Sequence, residues 1–377
     1  MFSNANVEKL RSVCATKPVV LSLYLPVPLD PAGLRGLAAE AGELMAGAAG
    51  PAGGSQRDSA RISHADREAV LGTLAARGRD WLGHTVAFFA SQDLCLFEAL
   101  PLRYPLPARA VLAGRPYIRP LLAAVQRGPD YRVAIADRER AWVLSVSGDR
   151  VETIARQVDR GPRSAGFGGW YGLQAYRIQR RITQLGRHHY LETAAILKRA
   201  AGSGRRVPLV IGGHHDSVAA LLRALPAEVR DTFAGSFQAD PHTLTEAGVR
   251  ELAGPVIGRW VARREQELSE EILGAGRLAA LGLPACLVAV GRAAVDHLLV
   301  PDDGMIPGFA CGGCGQLSAG PARCPDCGTA ARPVPDLLEE MVQRTLDDNG
   351  QVSVIRDAPF SVAAKLRFPV TADRSRR

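Results

Sequence analysis

Lysine is nearly missing from this 377-residue chain: it occurs at Lys9, Lys17, Lys198 and Lys365, so almost all of the 46 basic residues are arginine. Aromatic residues make up only 6%, which leaves aliphatic side chains and alanine to build the cores. No apolar run approaches the roughly 20 residues needed to cross a bilayer, which excludes a transmembrane helix. The opening MFSNANVEKLRSV lacks the basic-then-apolar order of a signal peptide, so the expectation is a soluble, cytoplasmic protein with no membrane partner. Also missing are a Walker loop, a dinucleotide-binding glycine fingerprint after a first strand, a Gly-x-Ser-x-Gly elbow and a His-Glu-x-x-His pair. No GTPase activity is expected from such a chain.

What is present is length and positive charge. Hydrophobic residues at 47% exclude a wholly disordered chain, and the length suits two or three domains. The 46 cations face 38 anions, for a net charge of +8. Arginine's planar fork binds phosphate bidentately and stacks on bases, which makes an acidic polymer such as RNA a candidate partner.

Punctuation by proline and glycine divides the chain. VVLSLYLPV (19–27) reads as a buried strand, and VAFFAS (86–91) with LCLFEAL (94–100) as a hairpin turning at Gln92-Asp93. Between Arg103 and Arg127 there are five arginines and no acid, read as a solvated, proline-broken connection. RVAIADRERAWVLSVSGDRVETI (132–154) predicts a strand meander, VPLVIGG (207–213) a buried strand, and DSVAALLRALP a short helix capped by Asp216 or Ser217. A helical pattern from Thr245 to Gly282 leads to strands ACLVAVG and HLLV, a cysteine-rich insertion, the helix DLLEEMVQRTLDDNG and a final strand pair, QVSVI with VAAKLRF. Strands alternating with helices make the fold class α/β, with no internal repeat.

Cys14, Cys95 and Cys286 stand alone among apolar neighbours and read as reduced core residues. The other four cysteines form two C-x2-C knuckles, Cys311/Cys314 and Cys324/Cys327. That spacing suits four thiolates around a tetrahedral Zn2+, with Gly312, Gly313, Gly315 and Gly328 easing the turns. Four protein ligands leave no open position for water, so the zinc would be structural.

The centre of the chain is densest in chemistry. Gly166, Gly168, Gly169 and Gly172 crowd the stretch before Gln174, and such a backbone can approach another molecule closely. The segment that follows, QAYRIQRRITQLGRHHY, carries Arg177, Arg180, Arg181 and Arg187, and by Arg206 there are eight cations against the one anion Glu192. On a helix Arg177, Arg181, Gln184 and His188 share a side, next to an Ile178, Ile182, Leu185 stripe. So lopsided a face repels itself unless phosphate neutralises it.

This order of meander, glycine-rich loop, glutamine, basic helix and Arg-His pair resembles the central domain of the archaeo-eukaryotic class 1 release factor and Pelota superfamily, and its bacterial members most. In that family a Gly-Gly-Gln loop begins the helix, which later carries Arg-His. Gln174 takes the glutamine position and Arg187-His188 the pair. The resemblance implies a three-domain α/β architecture: an N-terminal α/β domain at 1–127, a central domain at 128–250, and a C-terminal α/β domain at 251–377 with a zinc ribbon at about 308–332. It also implies the ribosome as partner, through rRNA and peptidyl-tRNA, with a translational GTPase for delivery. Gly168, Gly169, Gly172 and Gln174 become the candidate catalytic residues for hydrolysing the peptidyl-tRNA ester. Arg177, Arg180, Arg181, Arg187 and His188 become the candidate RNA contacts.

The chain departs from the family pattern at Gly172-Leu173-Gln174, where leucine replaces the middle glycine, and Gly168-Gly169 fits only a loop longer by four residues. The codon-reading Asn-Ile-Lys-Ser and Tyr-x-Cys patterns are missing from the N-terminal stretch. Codon-independent entry into the ribosomal A site is therefore expected, either rescuing stalled ribosomes by hydrolysis or occupying idle ones as a non-catalytic hibernation factor. A third reading, a free-standing hydrolase or metal site at His214-His215-Asp216, rests on their place after a buried strand.

Overall fold

The structure is a computed structural model that describes residues 4–15, 19–48, 62–148, 150–158, 173–202, 206–320, 323, 324, 326–356 and 360–370. It divides into two units, one of residues 1–127 with 265–377 and the other of 128–264.

The first unit begins with α1 (Asn4–Arg11), β1 (Val20–Pro26), α2 (Leu34–Gly47) and α3 (His64–Arg77), followed by β2 (Thr85–Ser91), β3 (Leu96–Leu102), β4 (Arg109–Ala113) and α4 (Arg119–Arg127). The strands form one antiparallel sheet ordered β3-β2-β1-β4. Leu21, Leu23 and Leu25 face α2 and α3, while Tyr24 packs on the opposite side with Phe89, Ile118 and Leu121. Burial on both faces explains why β1 reads as an unbroken apolar run rather than an alternating one.

The second unit holds β5 (Tyr131–Ala136), β6 (Arg140–Ser147), β7 (Arg150–Val158), α5 (Leu173–Ala201), β8 (Leu209–Gly212), α6 (His215–Ala224), α7 (Ala227–Arg230), β9 (Phe233–Phe237) and the start of α8 (Glu246–Leu273). The meander β7-β6-β5 is antiparallel, and β8 and β9 extend it in parallel register. Ala134, Val143 and Ile211 pack under α5 and α6; Val133, Ile135 and Leu144 pack under Val249, Ala253 and Val256 of α8. α6 starts one residue before Asp216, with His214 at its N-cap and no side-chain capping bond. That corrects the expected Asp216 or Ser217 cap; Ser217 is buried and hydrogen-bonded to Tyr190 instead.

The remaining elements are β10 (Ala279–Leu281), α9 (Leu283–Gly291), β11 (Val295–Pro301), β12 (Gly308–Cys311), β13 (Leu317–Ser318), β14 (Ala331–Val334), α10 (Leu337–Asp347), β15 (Gln351–Ile355) and β16 (Ala363–Leu366). ACLVAVG, expected as a strand, is helix α9. A short apolar run carries no period, and Pro284 in the first turn presets a helical φ after Gly282 at φ +80°. QVSVI and VAAKLRF are strands but do not pair with each other: β11 lies between them, in the order β10-β16-β11-β15. Cys286 is buried as expected, whereas Cys14 and Cys95 are exposed. Cys95 occupies a left-handed turn position (φ 50°) between β2 and β3 and is exposed there.

The arginine-rich stretch 103–127 is no solvated connection. Arg119 is fully buried, its Nη2 2.9 Å from Asp336 Oδ2, and both side chains are 0% exposed. Arg119 also donates to the Pro301 carbonyl at 2.6 Å and to those of Asp303 and Gly304. The Tyr117 hydroxyl donates to Asp336 at 2.8 Å, and the amides of Ile118 and Arg119 each reach Glu339 at 2.9 Å. Arg115 pairs with Asp347 and Arg127 with Asp302, both at 2.6 Å.

Burial pushes the Glu339 carboxyl up to about 7, against the pull of hydrogen bonds from Ile118, Gln343 and Arg119 and of the Arg119 charge. An unfolded glutamate titrates near ~4.3, so between the two values the folded chain holds a proton that the unfolded chain has lost. Stability therefore falls as pH rises from about 4.5 to about 7 and levels off above. Urea midpoints measured from pH 5 to 8 should decline through that window, and Glu339→Gln should flatten the decline. An unchanged slope in the variant would refute the assignment.

Candidate nucleic-acid interface and metal centre

α5 is the longest helix of the second unit, at 29 residues, about 44 Å at 1.5 Å per residue. Its second half is held down by a buried stripe of Gly186, His189, Tyr190, Thr193, Ala194 and Leu197, the three- and four-residue spacing of a helix packed by one face. His189 meets Tyr190 edge-on at 6.0 Å, and Thr193 Oγ1 donates to the His189 carbonyl at 2.9 Å. Burial raises the Tyr190 phenol above its ordinary value.

Arg187 and His188 fall outside the buried stripe and are exposed, as is Gln184. His188 Nε2 lies 3.0 Å from Glu192 Oε1, and Gln157 of β7 also bonds Glu192. Lys198 pairs with Glu228 at 3.3 Å. Arg187 has no ion-pair partner among the residues whose side chains are described. Gln174, Arg177, Arg180 and Arg181 lie in the first half of α5, where residues 173–183 and 185 are described by backbone alone. Gln174 is in the first helical turn, and Leu173 is the residue that opens the helix. Gly168, Gly169 and Gly172, with Gly166, lie outside the described residues.

The four knuckle cysteines converge. β12, β13 and β14 form a small antiparallel sheet in the order β13-β12-β14, and the Sγ atoms of Cys311, Cys314, Cys324 and Cys327 all lie within 4.8 Å of one another. Cys311 and Cys327 are 3.4 Å apart, as are Cys314 and Cys324. Tetrahedral ligands at ~2.3 Å from a zinc ion would sit about 3.8 Å apart. The knuckles share one construction: the Gly315 amide bonds the Cys311 carbonyl at 3.1 Å and the Gly328 amide that of Cys324 at 3.0 Å. Both glycines take positive φ, at +76° and +71°, where a side chain would be strained. Gly312 and Gly313 do not, so only half of the expected glycine allowance is used.

The amides of Cys314 and Gly313 draw the Cys311 thiol down and Thr329 holds Cys327 down to about 6, while Cys314, against the pull of the Gln316 amide, is pushed up to about 12 by Cys324, burial and the other sulfurs. Four sulfurs this close can ionise together only around a cation. The donor set can hold a metal ion and is compatible with zinc.

Residues 116–255, which span the second unit's sheet and all of α5, match the family model of bacterial archaeo-eukaryotic release factor family 10. Over this segment the chain is similar to the bacterial members of the archaeo-eukaryotic release factors. Among solved structures it is similar to the archaeal translation termination factor aRF1 (14% identity, 97% of each chain covered, TM-score 0.26). It is also similar to Pelota of Archaeoglobus fulgidus (14%, 77% of this chain and 81% of that one, TM-score 0.36). A further likeness is to Dom34 of S. cerevisiae, a translation termination-like factor involved in RNA quality control that interacts with Hbs1 (10%, 77% and 81%, TM-score 0.40). No curated protein matches the sequence.

The histidines after β8 have no role that the structure supports. His215 Nδ1 is 3.9 Å from Asp216 Oδ1, both side chains are 91% exposed, and no third group joins them in a metal-sized cluster among the described residues. Sequence reasoning missed the acid partners of the 103–127 arginines, Asp302, Asp336, Glu339 and Asp347. The available signal was five arginines without a local acid, a composition that asks for distant ones. No helix among the described residues is long and apolar enough to cross a membrane.

Proposed function

We propose that this release-factor-like chain is a translation factor that enters the ribosomal A site independently of codon and releases or rescues stalled peptidyl-tRNA by ester hydrolysis. The observation that carries this reading is the family match over 116–255, enclosing an arginine-rich helix that begins one residue before Gln174. In the narrow, RNA-walled peptidyl-transferase centre, a segment rich in glycine (161–172) can thread where side chains would clash. A backbone N–H there stabilises the developing oxyanion, and the Gln174 amide helps place the attacking water. Arg177, Arg180, Arg181, Arg187 and His188 neutralise rRNA phosphates along the helix. Zn2+ on Cys311, Cys314, Cys324 and Cys327 is proposed as a structural ion. A translational GTPase as delivery partner and a cytoplasmic setting complete the proposal by family resemblance.

The deciding experiment uses ribosomes carrying peptidyl-tRNA with an empty A site, and vacant ribosomes beside them. Gln174→Ala should leave co-sedimentation unchanged and slow peptide release about 100-fold, the size of effect from losing one positioned donor. Glutamates at Arg177, Arg180 and Arg181 should abolish binding and lower the salt dependence of what remains.

Leu173 favours a second reading, hibernation. If the motif's middle position requires glycine, the wild-type chain releases nothing and binds vacant ribosomes at least as well as loaded ones. No binding to either particle at low salt would refute both readings.

A further inference from the structure

Arg127, the last residue of α4, lines a cavity of about 150 Å3 in the first unit, together with Tyr104, Arg109, Asp302, Asp303 and Arg356. One side of its guanidinium is occupied: Nη1 lies 2.6 Å from Asp302 Oδ2 and donates to the Tyr104 hydroxyl at 3.2 Å. The other nitrogen, Nη2, is buried and has no hydrogen-bond partner among the described residues, on a side chain only 6% exposed. A buried, charged donor left without an acceptor is costly, and beside an open cavity it can be satisfied by an incoming acceptor.

The other walls point to the same ligand class. Arg356 lies over the Tyr104 ring at 5.7 Å and Arg127 lies over it at 5.0 Å, so one aromatic ring holds two guanidinium groups at the cavity. Arg109 donates one nitrogen to the Tyr117 hydroxyl at 2.9 Å. Three cations thus face two carboxylates, and Asp302 is already engaged by Arg127. The balance is positive, and the donors are guanidinium forks, whose geometry matches tetrahedral oxyanions.

We propose that this cavity binds a single phosphate group. A cavity of this volume holds a molecule of benzene's size, which is room for one phosphate group. The phosphate can come from free phosphate or from the end of an RNA strand, with the same chemistry at the arginines. The site shares no residue with α5 and stands independently of the ribosomal reading.

Titration calorimetry on the zinc-loaded full chain tests it, at constant ionic strength with chloride as the balancing anion. The probes are inorganic phosphate, a 5′-phosphorylated RNA tetranucleotide and its dephosphorylated twin. Saturable one-to-one binding is expected for inorganic phosphate, for the phosphorylated RNA or for both. The dephosphorylated twin should bind at least tenfold more weakly than its phosphorylated partner. Binding of inorganic phosphate assigns a free ion as a sufficient ligand, and binding of the phosphorylated RNA alone assigns an RNA end.

Arg356→Gln should weaken the binding at least tenfold; this exposed residue lies over the Tyr104 ring, and a thermal melt controls for folding. Arg127→Gln should do the same, with a thermal melt as the control for folding. The proposal is overturned if no phosphate probe binds saturably, if the dephosphorylated twin binds equally, or if Arg356→Gln binds as the wild type does.

Discussion

If the four cysteines hold zinc as proposed, serine in place of Cys324 is expected to abolish metal binding and unfold the β12–β14 ribbon. Cys324 is buried, its Sγ sits 3.4 Å from that of Cys314, and its carbonyl anchors the second knuckle through the Gly328 amide. Without one thiolate the remaining sulfurs cannot close a tetrahedron, and the folding free energy supplied by metal binding goes with it. In isolated zinc domains that contribution is about 10–16 kcal/mol. Here the loss should be smaller, of order several kcal/mol, because the ribbon is inserted in a unit that has its own core. Ala310, Leu317 and Val334 of the ribbon belong to that core beside Leu337 and Met341 of α10, so the damage should spread to α10. Elemental analysis should find one zinc per wild-type chain and none in the variant. Hydrogen exchange over residues 308–334 should accelerate, and a chelator should reproduce both effects in the wild type. A wild-type chain that carries no metal and melts identically with chelator would refute the zinc assignment.

Arg119→Met is expected to cost the upper part of the ~3–5 kcal/mol that follows from removing one partner of a buried ion pair. The substitution leaves the Asp336 carboxylate charged and desolvated, and it strips a donor from the carbonyls of Pro301, Asp303 and Gly304. Asp336 cannot relax toward water, because Oδ1 already accepts the Leu338 and Ile306 amides, both at 3.1 Å, as the N-cap of α10. Adding Asp336→Leu should cost less than the sum of the two single changes, since the pair fails as a unit. Urea denaturation of the single and double variants measures both quantities. A loss below about 1 kcal/mol for Arg119→Met would mean that the pair contributes no more than a surface ion pair does.

Much of the local structure was legible in the residue order. The meander β5–β7, the hairpin β2–β3 and the long basic helix all sit where strand runs, turn residues and helical spacing put them. These signals are largely local: turn residues and a sustained helical or alternating pattern mark an element within a short stretch of chain. The cysteine cluster was legible for the same reason, because each C-x2-C knuckle closes on itself and only the meeting of the two is left to the fold. The glycine stretch and Gln174 were read from motif and resemblance alone.

Most of the misread features depended on distant parts of the chain. ACLVAVG became α9 because a run of small apolar residues suits either state, and its surroundings choose. QVSVI and VAAKLRF were separated by β11, since strand neighbours in the chain need not be neighbours in a sheet. Cys14 and Cys95 are exposed because apolar neighbours in sequence do not ensure cover in space.

By itself, then, the sequence determined the α/β class, the zinc-type knuckles and the positively charged helix that follows Gln174, for these follow from spacing and composition over short distances. The tertiary structure alone decided that Arg119 meets Asp336 across 217 residues, that Arg127 keeps one buried donor beside a cavity, and that Glu339 is held in a medium poor enough in water to raise its titration to about 7. Burial and charge pairing depend on which distant segments share a core, and only the folded chain brings those segments together.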